Sequence, residues 1–204
     1  MPIIGLTGGI ASGKTLVGNI LEGLGAVCVD ADVISHEVMQ LGTPCYNALR
    51  AQFDDPFTDE NGQLDRRYLR NMFFGGGYSV EKLNAIVHPF VIYRIHELTV
   101  AALADDRQKP VIWSVPLLVE SGLYIYCDEV LAVEASVEKR IERIMRRDSS
   151  TREQAVAMIG AQVSDKRRRE TATRIISNDG SIHDTQLAVE RIWSELLEKY
   201  SKKH

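Results

Sequence analysis

Residues 5–16 of the chain read GLTGGIASGKTL, which fits the phosphate-loop pattern Gly-x-x-x-x-Gly-Lys-Thr between Gly8 and Thr15. Glycines permit tight or positive-φ backbone, so successive N–H groups can converge on phosphate oxygens. In this pattern Lys14 reaches the β- and γ-phosphates of a nucleotide, and the Thr15 hydroxyl can coordinate Mg²⁺. We expect nucleotide phosphates to be bound by the loop and the turn after it: Gly8, Gly9, Ala11, Ser12, Gly13, Lys14, Thr15 and Leu16.

Apolar runs along the chain predict strands that alternate with helices. PIIGLTG precedes the loop, AVCVDAD follows the next helix, and further runs lie at 110–118, 128–135 and 174–178. In AVCVDAD, alternation places Asp30 and, if the chain stays extended, Asp32 on one side. A last helix is expected from about residue 184 to 200. This order predicts an α/β fold, an open parallel sheet of five strands with helices on both faces.

Roughly 75 mainly helical residues separate the second and third predicted strands, more than a simple crossover needs. One apolar stripe lies in LDRRYLRNMFF, and GGG at 75–77 breaks the chain after it. Ser79 is a good N-cap for a longer helix, in which the His88-Pro89 pair predicts a kink. We expect a single domain in which a helical insertion at about 59–98 interrupts a core of 1–58 and 99–204.

A phosphate loop alone does not select a reaction, so other motifs must narrow the class. The guanine-selecting Asn-Lys-x-Asp pattern and the Leu-Ser-Gly-Gly-Gln transporter signature are absent from the sequence, and the chain is short for a motor or helicase. These absences favour a small phosphotransferase. Asp32 is the leading candidate for a general base, because it follows the second strand at the sheet edge where open α/β proteins bind ligands. Aspartate is also a good helix N-cap, and spacing alone leaves both interpretations open.

Three arginines could supply the positive charge that phosphoryl transfer needs. Arg140, Arg143 and Arg147 recur at i, i+3 and i+7, so they share one face of a predicted helix. Guanidinium groups suit the spread charge of a transferring phosphoryl group, and closure over the phosphates would exclude water. A solvated charged face is the alternative interpretation, but the phosphate loop favours a lid.

The segment after these arginines completes the predicted lid. Ser150-x-x-Glu153 fits a capping box that begins another helix, which gives two helices joined by a short polar hinge. We predict a lid at about 138–165. The basic run KRRRE at 166–170 is expected to be solvated surface.

Composition limits the class of protein further. The formal net charge of −4 argues against a general nucleic-acid binder. Three scattered cysteines suit a reducing cytosol better than a disulfide scaffold. The sequence offers neither a signal peptide nor an apolar run of about 20 residues. We therefore expect a cytoplasmic protein with no membrane contact and no obligate protein partner.

Seven stretches of the chain, taken in order, resemble the dephospho-coenzyme A kinase family: GLTGGIASGKT, VDAD, GTPCYNALRAQF, LDRRYLRNMFF, LNAIVHPFV, VPLLVESGLY and RDSSTREQAVAMIGAQ. The resemblance extends from the N-terminus to about Asn178. It implies a sheet of P-loop kinase type, a helical CoA-binding insertion and a lid. It also implies ATP-dependent phosphorylation of the ribose 3′-hydroxyl of dephospho-CoA, the last step of CoA biosynthesis, with Mg²⁺ as cofactor.

Site residues follow from the same resemblance. Asp32 matches the general base, and Arg140 and Arg147 match lid arginines. Together with Lys14, Asp32 and Arg140 are the expected catalytic residues. His88 and Glu120 are candidates on the acceptor side, although a structural role for His88 is the simpler interpretation.

The chain departs from the family pattern in three places. Ala11 stands where glycine is common, which implies that this position does not need a strongly positive φ. Leu16 replaces a common hydroxyl residue, and Thr173-Arg174 lacks an acidic residue near the expected adenine site. Two other functions stay open: a related small-molecule kinase with another acceptor, and a nucleotide-dependent switch that has no acceptor.

Overall fold

Five parallel strands form one open sheet in the computed structural model, which describes residues 2–53, 58, 62, 64, 80–105 and 109–201. The spatial order is β2-β3-β1-β4-β5. This arrangement confirms the predicted α/β fold and the parallel five-stranded sheet. The strands are β1 (Ile3–Gly8), β2 (Val27–Asp30), β3 (Val111–Ser114), β4 (Glu129–Glu134) and β5 (Arg174–Ser177).

The central strand β1 is buried because helices cover both faces of a parallel sheet. Ile4 and Leu6 are fully buried, and Ile4 lies in register with Ile112 of β3. Their side chains belong to an apolar cluster that includes Val17 and Trp193 from flanking helices. Burial on both faces explains why the strands read as continuous apolar runs.

The chain divides into two compact units, Met1–Asp30 with Ala101–His204, and Ala31–Val100. The first unit contains the sheet and a 3₁₀ turn at Leu123–Tyr126. Within the described residues, it also contains five complete helices. These helices are α1 (Lys14–Gly23), α5 (Val137–Asp148), α6 (Arg152–Gly160), α7 (Asp165–Thr171) and α8 (Ile182–Ser201).

The second unit is helical and begins earlier than the predicted insertion. It starts at Ala31, whereas the predicted insertion starts at about residue 59. Its described helices are α2 (Ala31–Val38), α3 (Pro44–Gln52) and α4 (Val80–Asp105), the last of which continues into the first unit. The predicted stripe from Tyr68 to Phe73, the GGG break and the Ser79 cap lie outside the described residues.

Helix α4 runs through Pro89 without interruption. Val87, Val91 and Ile95 are buried and recur every four residues, so they lie on one face of the helix. By length and composition alone, Lys82–Asp105 would suffice to cross a membrane, a test that the core helices of soluble proteins also pass. The absence of membrane contact therefore stays a prediction.

Candidate active site

The phosphate loop joins the end of β1 to the start of α1, as the motif predicts. Gly13 precedes α1 with φ of 100°, a left-handed conformation that favours glycine. Because glycine supplies no capping side chain, the first N–H groups of α1 are left for another acceptor. A helix N-terminus of this kind, with its positive dipole end, suits phosphate oxygens.

Close approach, rather than positive φ, explains the other two glycines of the loop. A Cβ at Gly8 would lie 2.8 Å from the Val133 carbonyl oxygen, and a Cβ at Gly9 would overlap the Arg140 guanidinium. Neither glycine is among the residues with positive φ. The tight backbone predicted for these positions is therefore confirmed, and Arg140 is placed directly against the loop.

Ala11 contradicts the expectation that its position would not need a positive φ. Its φ is 59°, in the left-handed region that costs a non-glycine residue about 1–2 kcal/mol. Arg143 offsets this cost, because its Nη1 donates to the carbonyl oxygens of Ala11 and Ser12 at 3.1 and 3.2 Å. The Ala11 side chain also packs on an apolar cluster formed by Ile141, Ile144 and Ala155 of the lid helices.

Lys14 points toward the carboxyl ends of β2 and β3. Its Nζ donates to Ser114 Oγ at 2.6 Å and lies 3.6 Å from Asp30 Oδ2. Ser114 Oγ in turn donates to Asp30 Oδ2 at 2.8 Å. Sequence analysis placed Asp30 on one side of the second strand and did not single out Ser114, whose only signal is a serine at the end of a buried apolar run.

Asp32 lies in a helix and not in an extended strand. Helix α2 begins at Ala31, directly after β2, so the condition that would have placed Asp32 beside Asp30 is not met. Asp32 is exposed in the first turn of α2, where a carboxylate complements the helix dipole. It belongs to the second unit, and its role as a general base stays a prediction.

The lid helices form as predicted, with a capping box one residue later than expected. Thr151, not Ser150, caps α6: its Oγ1 accepts the Gln154 N–H at 3.3 Å. The Gln154 side chain accepts the Thr151 N–H at 2.8 Å, which completes the box. The predicted Ser150–Glu153 pair is therefore wrong by one residue.

Two of the three predicted lid arginines contact the phosphate loop. Arg140 Nε donates to the Ile10 carbonyl oxygen at 2.9 Å, and Arg143 bonds the next two carbonyls. Arg147 instead donates to its neighbour Asp148 at 2.8 Å, and these hydrogen bonds to the carboxylate raise the pKa of Arg147. Burial lowers the pKa of Arg140, an effect that the nearby Asp165 carboxylate opposes.

Several contacts to the loop come from residues that the sequence did not single out. Asn178 Nδ2 donates to the Ser12 carbonyl oxygen at 2.7 Å, and Gln162 Oε1 accepts the Ile10 N–H at 2.7 Å. With Arg140 and Arg143, these groups bind one N–H and three consecutive carbonyls of the loop. Amides in loops carry no periodicity, so no sequence pattern could have predicted them.

The basic run at 166–170 is not wholly solvated, contrary to the prediction. Arg168 is 2% exposed, whereas Arg167 and Arg169 are exposed. Arg168 Nη1 donates to Asp165 Oδ1 at 2.7 Å. A basic run on a short helix can bury one side chain when a carboxylate from its first turn pairs with it.

Comparisons with known proteins agree with this geometry. The sequence model of a protein family, dephospho-CoA kinase, matches residues 2–184. A dephospho-CoA kinase of Moorella thermoacetica is 40% identical over 200 residues, which cover 96% of this chain and 92% of that protein. A dephospho-CoA kinase of Thermobifida fusca is 39% identical, with 95% of both chains covered. This chain belongs to the dephospho-CoA kinase family.

Solved structures support the same fold. The crystal structure of TT1252 from Thermus thermophilus is 31% identical and superposes with a TM-score of 0.77, covering 96% of this chain and 97% of that one. A dephospho-CoA kinase from Campylobacter jejuni shares the fold at 23% identity and a TM-score of 0.71, with 97% of this chain and 98% of that one covered. The dephospho-CoA kinase family catalyses the final, ATP-dependent step of CoA biosynthesis.

Two further residues were expected on the acceptor side of a dephospho-CoA kinase. Glu120 lies in the first unit, where its Oε1 accepts the Val163 N–H at 3.3 Å and lies 3.9 Å from Arg168 Nη2. His88 is half-buried on α4 in the second unit. The structure therefore places Glu120 beside α7 and the residues that precede it, and contact of either residue with an acceptor stays a prediction.

Oxygen groups near the loop suit the divalent metal ion that ATP-dependent kinases generally need. Thr15 is exposed in the first turn of α1, and the Asp30 carboxylate lies at the end of β2. Within the described residues, no group of three or more His, Cys, Asp or Glu side chains could hold a metal by itself. Mg²⁺ commonly takes most of its ligands from water and substrate phosphates, so one hydroxyl and one carboxylate suffice.

Proposed function

We propose that the protein transfers the γ-phosphoryl group of ATP to the ribose 3′-hydroxyl of dephospho-CoA, giving CoA and ADP. The observation that carries the proposal is the binding of two lid arginines to the backbone of a phosphate loop that precedes α1. Membership of the dephospho-CoA kinase family supplies the acceptor. A nucleotide switch has little use for a buried arginine that covers its phosphates, so this arrangement favours transfer.

On the phosphate side, the loop and Lys14 hold ATP. Loop N–H groups and the N-terminus of α1 bind phosphate oxygens, and Lys14 leaves Ser114 and Asp30 to reach the β- and γ-phosphates. Arg140 and Arg143 place positive charge beside the loop, where it stabilises the transferring group. Thr15 and Asp30 would hold Mg²⁺, which neutralises phosphate charge when it is bound.

On the acceptor side, Asp32 is the proposed general base. Its carboxylate would accept the proton of the 3′-hydroxyl as that oxygen bonds to the γ-phosphorus and the bond to the β–γ bridging oxygen breaks. The leaving group is ADP. Because the transition state is loose, orientation of the hydroxyl contributes at least as much as basicity.

The second unit offers a cavity for the acceptor's long pantetheine arm. Its volume is about 660 Å³, and its walls come from α2, α3, α4 and the turn before α3. A cavity of this size suits a small-molecule ligand. The lining includes Thr43, Cys45, Phe90, Tyr93 and Arg94.

We propose a cytoplasmic location with no nucleic-acid, membrane or obligate protein partner. All three cysteines are free, and burial raises the pKa of Cys28 to about 11 and that of Cys127 to about 12. Both thiols therefore stay protonated near neutral pH, as suits a reducing compartment.

The decisive assay is ADP formation from Mg·ATP with dephospho-CoA, adenosine or AMP as acceptor. We expect dephospho-CoA alone to stimulate ADP formation and the product to carry a 3′-phosphate, which mass spectrometry and ³¹P NMR can verify. Stimulation by AMP but not by dephospho-CoA would show a related kinase with another acceptor. ADP formation that no acceptor changes would favour a nucleotide switch.

Asp32→Asn tests the general base. We expect this variant to bind ATP with unchanged affinity and to transfer the phosphoryl group about 100-fold more slowly or worse, since general base catalysis contributes roughly 10²–10⁴-fold. Asp105→Asn, an exposed change at the end of α4, is the control and should keep wild-type turnover. Unchanged turnover in Asp32→Asn would refute the assignment.

A further inference from the structure

Arg140 and Arg168 are both buried guanidinium groups in the first unit. Each is 2% exposed, although they come from different helices, α5 and α7. A buried charge is costly unless a partner of opposite sign and good hydrogen bonds compensate for it. The location of the compensating carboxylate therefore determines where both guanidinium groups can lie.

Asp165 is that carboxylate for both arginines. Arg140 Nη1 lies 3.1 Å from each carboxylate oxygen of Asp165, and Arg168 Nη1 donates to Asp165 Oδ1 at 2.7 Å. Arg168 Nη2 lies 3.9 Å from Glu120 Oε1. Charges of alternating sign thus connect Glu120, Arg168, Asp165 and Arg140, and the last of these contacts the phosphate loop.

The pairing determines how the Arg140 guanidinium is oriented. Nη1 is held by Asp165, and Nε donates to the Ile10 carbonyl oxygen, so the remaining nitrogen, Nη2, lies over Gly9. Within the described part of the chain, the recorded hydrogen bonds of Arg140 use Nε and Nη1 and leave Nη2 to donate elsewhere. A phosphate oxygen bound by the loop is the acceptor that the proposed function would supply.

The segment that carries Asp165 also contacts the loop directly. Gln162, three residues earlier, accepts the N–H of Ile10, while Arg140 binds the carbonyl of the same residue. Glu120 accepts the Val163 N–H in the same segment. The start of α7 is therefore fixed against the loop on the side where Arg140 lies.

We propose that Asp165 is a positioning residue for phosphoryl transfer: it binds the Arg140 guanidinium so that Nη2 faces the nucleotide phosphates over Gly9. Asp165 acts through Arg140 and does not itself touch the substrate. This inference rests on the proposed function. The alternative is a purely structural role, in which Asp165 only stabilises the first turn of α7 and the buried Arg168.

A double-mutant cycle on ATP affinity separates these roles. Asp165→Asn keeps the shape of the side chain and removes its charge. Arg140→Lys keeps the positive charge and removes the planar guanidinium with its several N–H donors. We expect each single variant to weaken ATP binding about tenfold in titration calorimetry without acceptor. Because Asp165 acts through Arg140, adding Asp165→Asn to a protein that already carries Arg140→Lys should weaken ATP binding less than threefold further.

The exposed pair Glu138–Arg152 provides a matched control. Its Oε1–Nη2 distance is 2.7 Å, it joins α5 to α6, and both side chains are more than half exposed. Glu138→Gln should leave ATP affinity unchanged, whereas Asp165→Glu should recover part of the loss in Asp165→Asn. The proposal would be overturned if the double variant lost ATP affinity by the product of the two single losses. It would also be overturned if folded Asp165→Asn bound ATP with wild-type affinity.

This experiment is independent of the acceptor. If the wild type binds ATP but does not phosphorylate dephospho-CoA, the proposed function fails and the cycle still measures the coupling between Asp165 and Arg140. Should Asp165→Asn fold poorly by circular dichroism, Asp165→Glu, which keeps the charge but shifts it by one methylene, takes its place in the same cycle with Arg140→Lys. With transfer established, a fall in kcat larger than the rise in KM for dephospho-CoA is the expected kinetic result.

Discussion

Residue 11 shows how a loop can use alanine where glycine would be less strained. The left-handed conformation of Ala11 is maintained by two hydrogen bonds from Arg143 and by contact of its methyl group with Ile141, Ile144 and Ala155. Full burial of a methyl group contributes roughly 0.8 kcal/mol, and the half-buried Ala11 methyl group contributes part of that, which offsets part of the left-handed cost. The departure from glycine therefore ties the loop to the lid helices.

Within the part of the chain that the structure describes, Ala11 and Ser149 are the non-glycine residues of positive φ, and substitution by glycine at each tests this balance. Ser149, with φ of 51°, is exposed at the end of α5. We expect Ser149→Gly to raise the free energy of unfolding by roughly 1 kcal/mol, and Ala11→Gly to raise it by less because the packing of the half-buried Ala11 methyl group is lost. Urea denaturation followed by the fluorescence of Trp113 and Trp193 gives both values. An equal gain in both variants would contradict the packing argument.

Among the helices, the start of α6 is capped by the Thr151 hydroxyl and not by the neighbouring Ser150 hydroxyl. Thr151 makes both bonds of the capping box with Gln154. The Ser150 hydroxyl is buried and has no hydrogen-bond partner within the described residues. Ser150 and Thr151 both carry a hydroxyl that could cap a helix, so the sequence pattern predicts the position of the cap only to within one residue.

Thr151→Ala should lower the free energy of unfolding by about 1 kcal/mol, the usual value of an N-cap. Ser150→Ala removes a buried hydroxyl that has no partner, so we expect it to be neutral or slightly stabilising. Thermal unfolding of the two variants beside the wild type measures the difference. A larger loss in Ser150→Ala than in Thr151→Ala would mean that the predicted Ser150 cap is the one that forms.

Sequence-based prediction works here for features that depend on nearby residues and fails for features that depend on residues distant along the chain. The phosphate loop, the strands and the shared face of Arg140 and Arg143 are local patterns, so the sequence predicts them. Asp165 and Arg168 are neighbours on one helix, but only tertiary structure brings Glu120 to them and buries Arg168. Asp32 was placed on an extended strand because alternation cannot show that a helix begins at Ala31.

For the molecule as a whole, α8 is held against the sheet by a charged contact as well as by its apolar face. Glu129, at the start of β4, is 3% exposed and accepts hydrogen bonds from Lys199 and Tyr200. Burial alone would raise the pKa of Glu129, but hydrogen bonds from Lys199 and Thr173, and the charges of Lys199 and Arg174, lower it overall. Folding therefore favours the ionised form of this carboxyl.

This lowered pKa makes part of the stability depend on pH. A carboxyl whose pKa is lower in the folded state stabilises the fold above its unfolded pKa, here 4.5, and loses that contribution as pH falls below 4.5 through the folded value. We expect Glu129→Gln to lower the free energy of unfolding by about 1–3 kcal/mol at pH 7, as for a hydrogen bond to a charged group. The gap between variant and wild type should shrink below pH 4.5 in urea denaturation. Glu195→Gln, which breaks the more exposed pair with Arg174, is the control and should cost about 0.5 kcal/mol. A gap for Glu129→Gln that stays constant from pH 7 to pH 3 would show that the carboxylate charge does not hold α8.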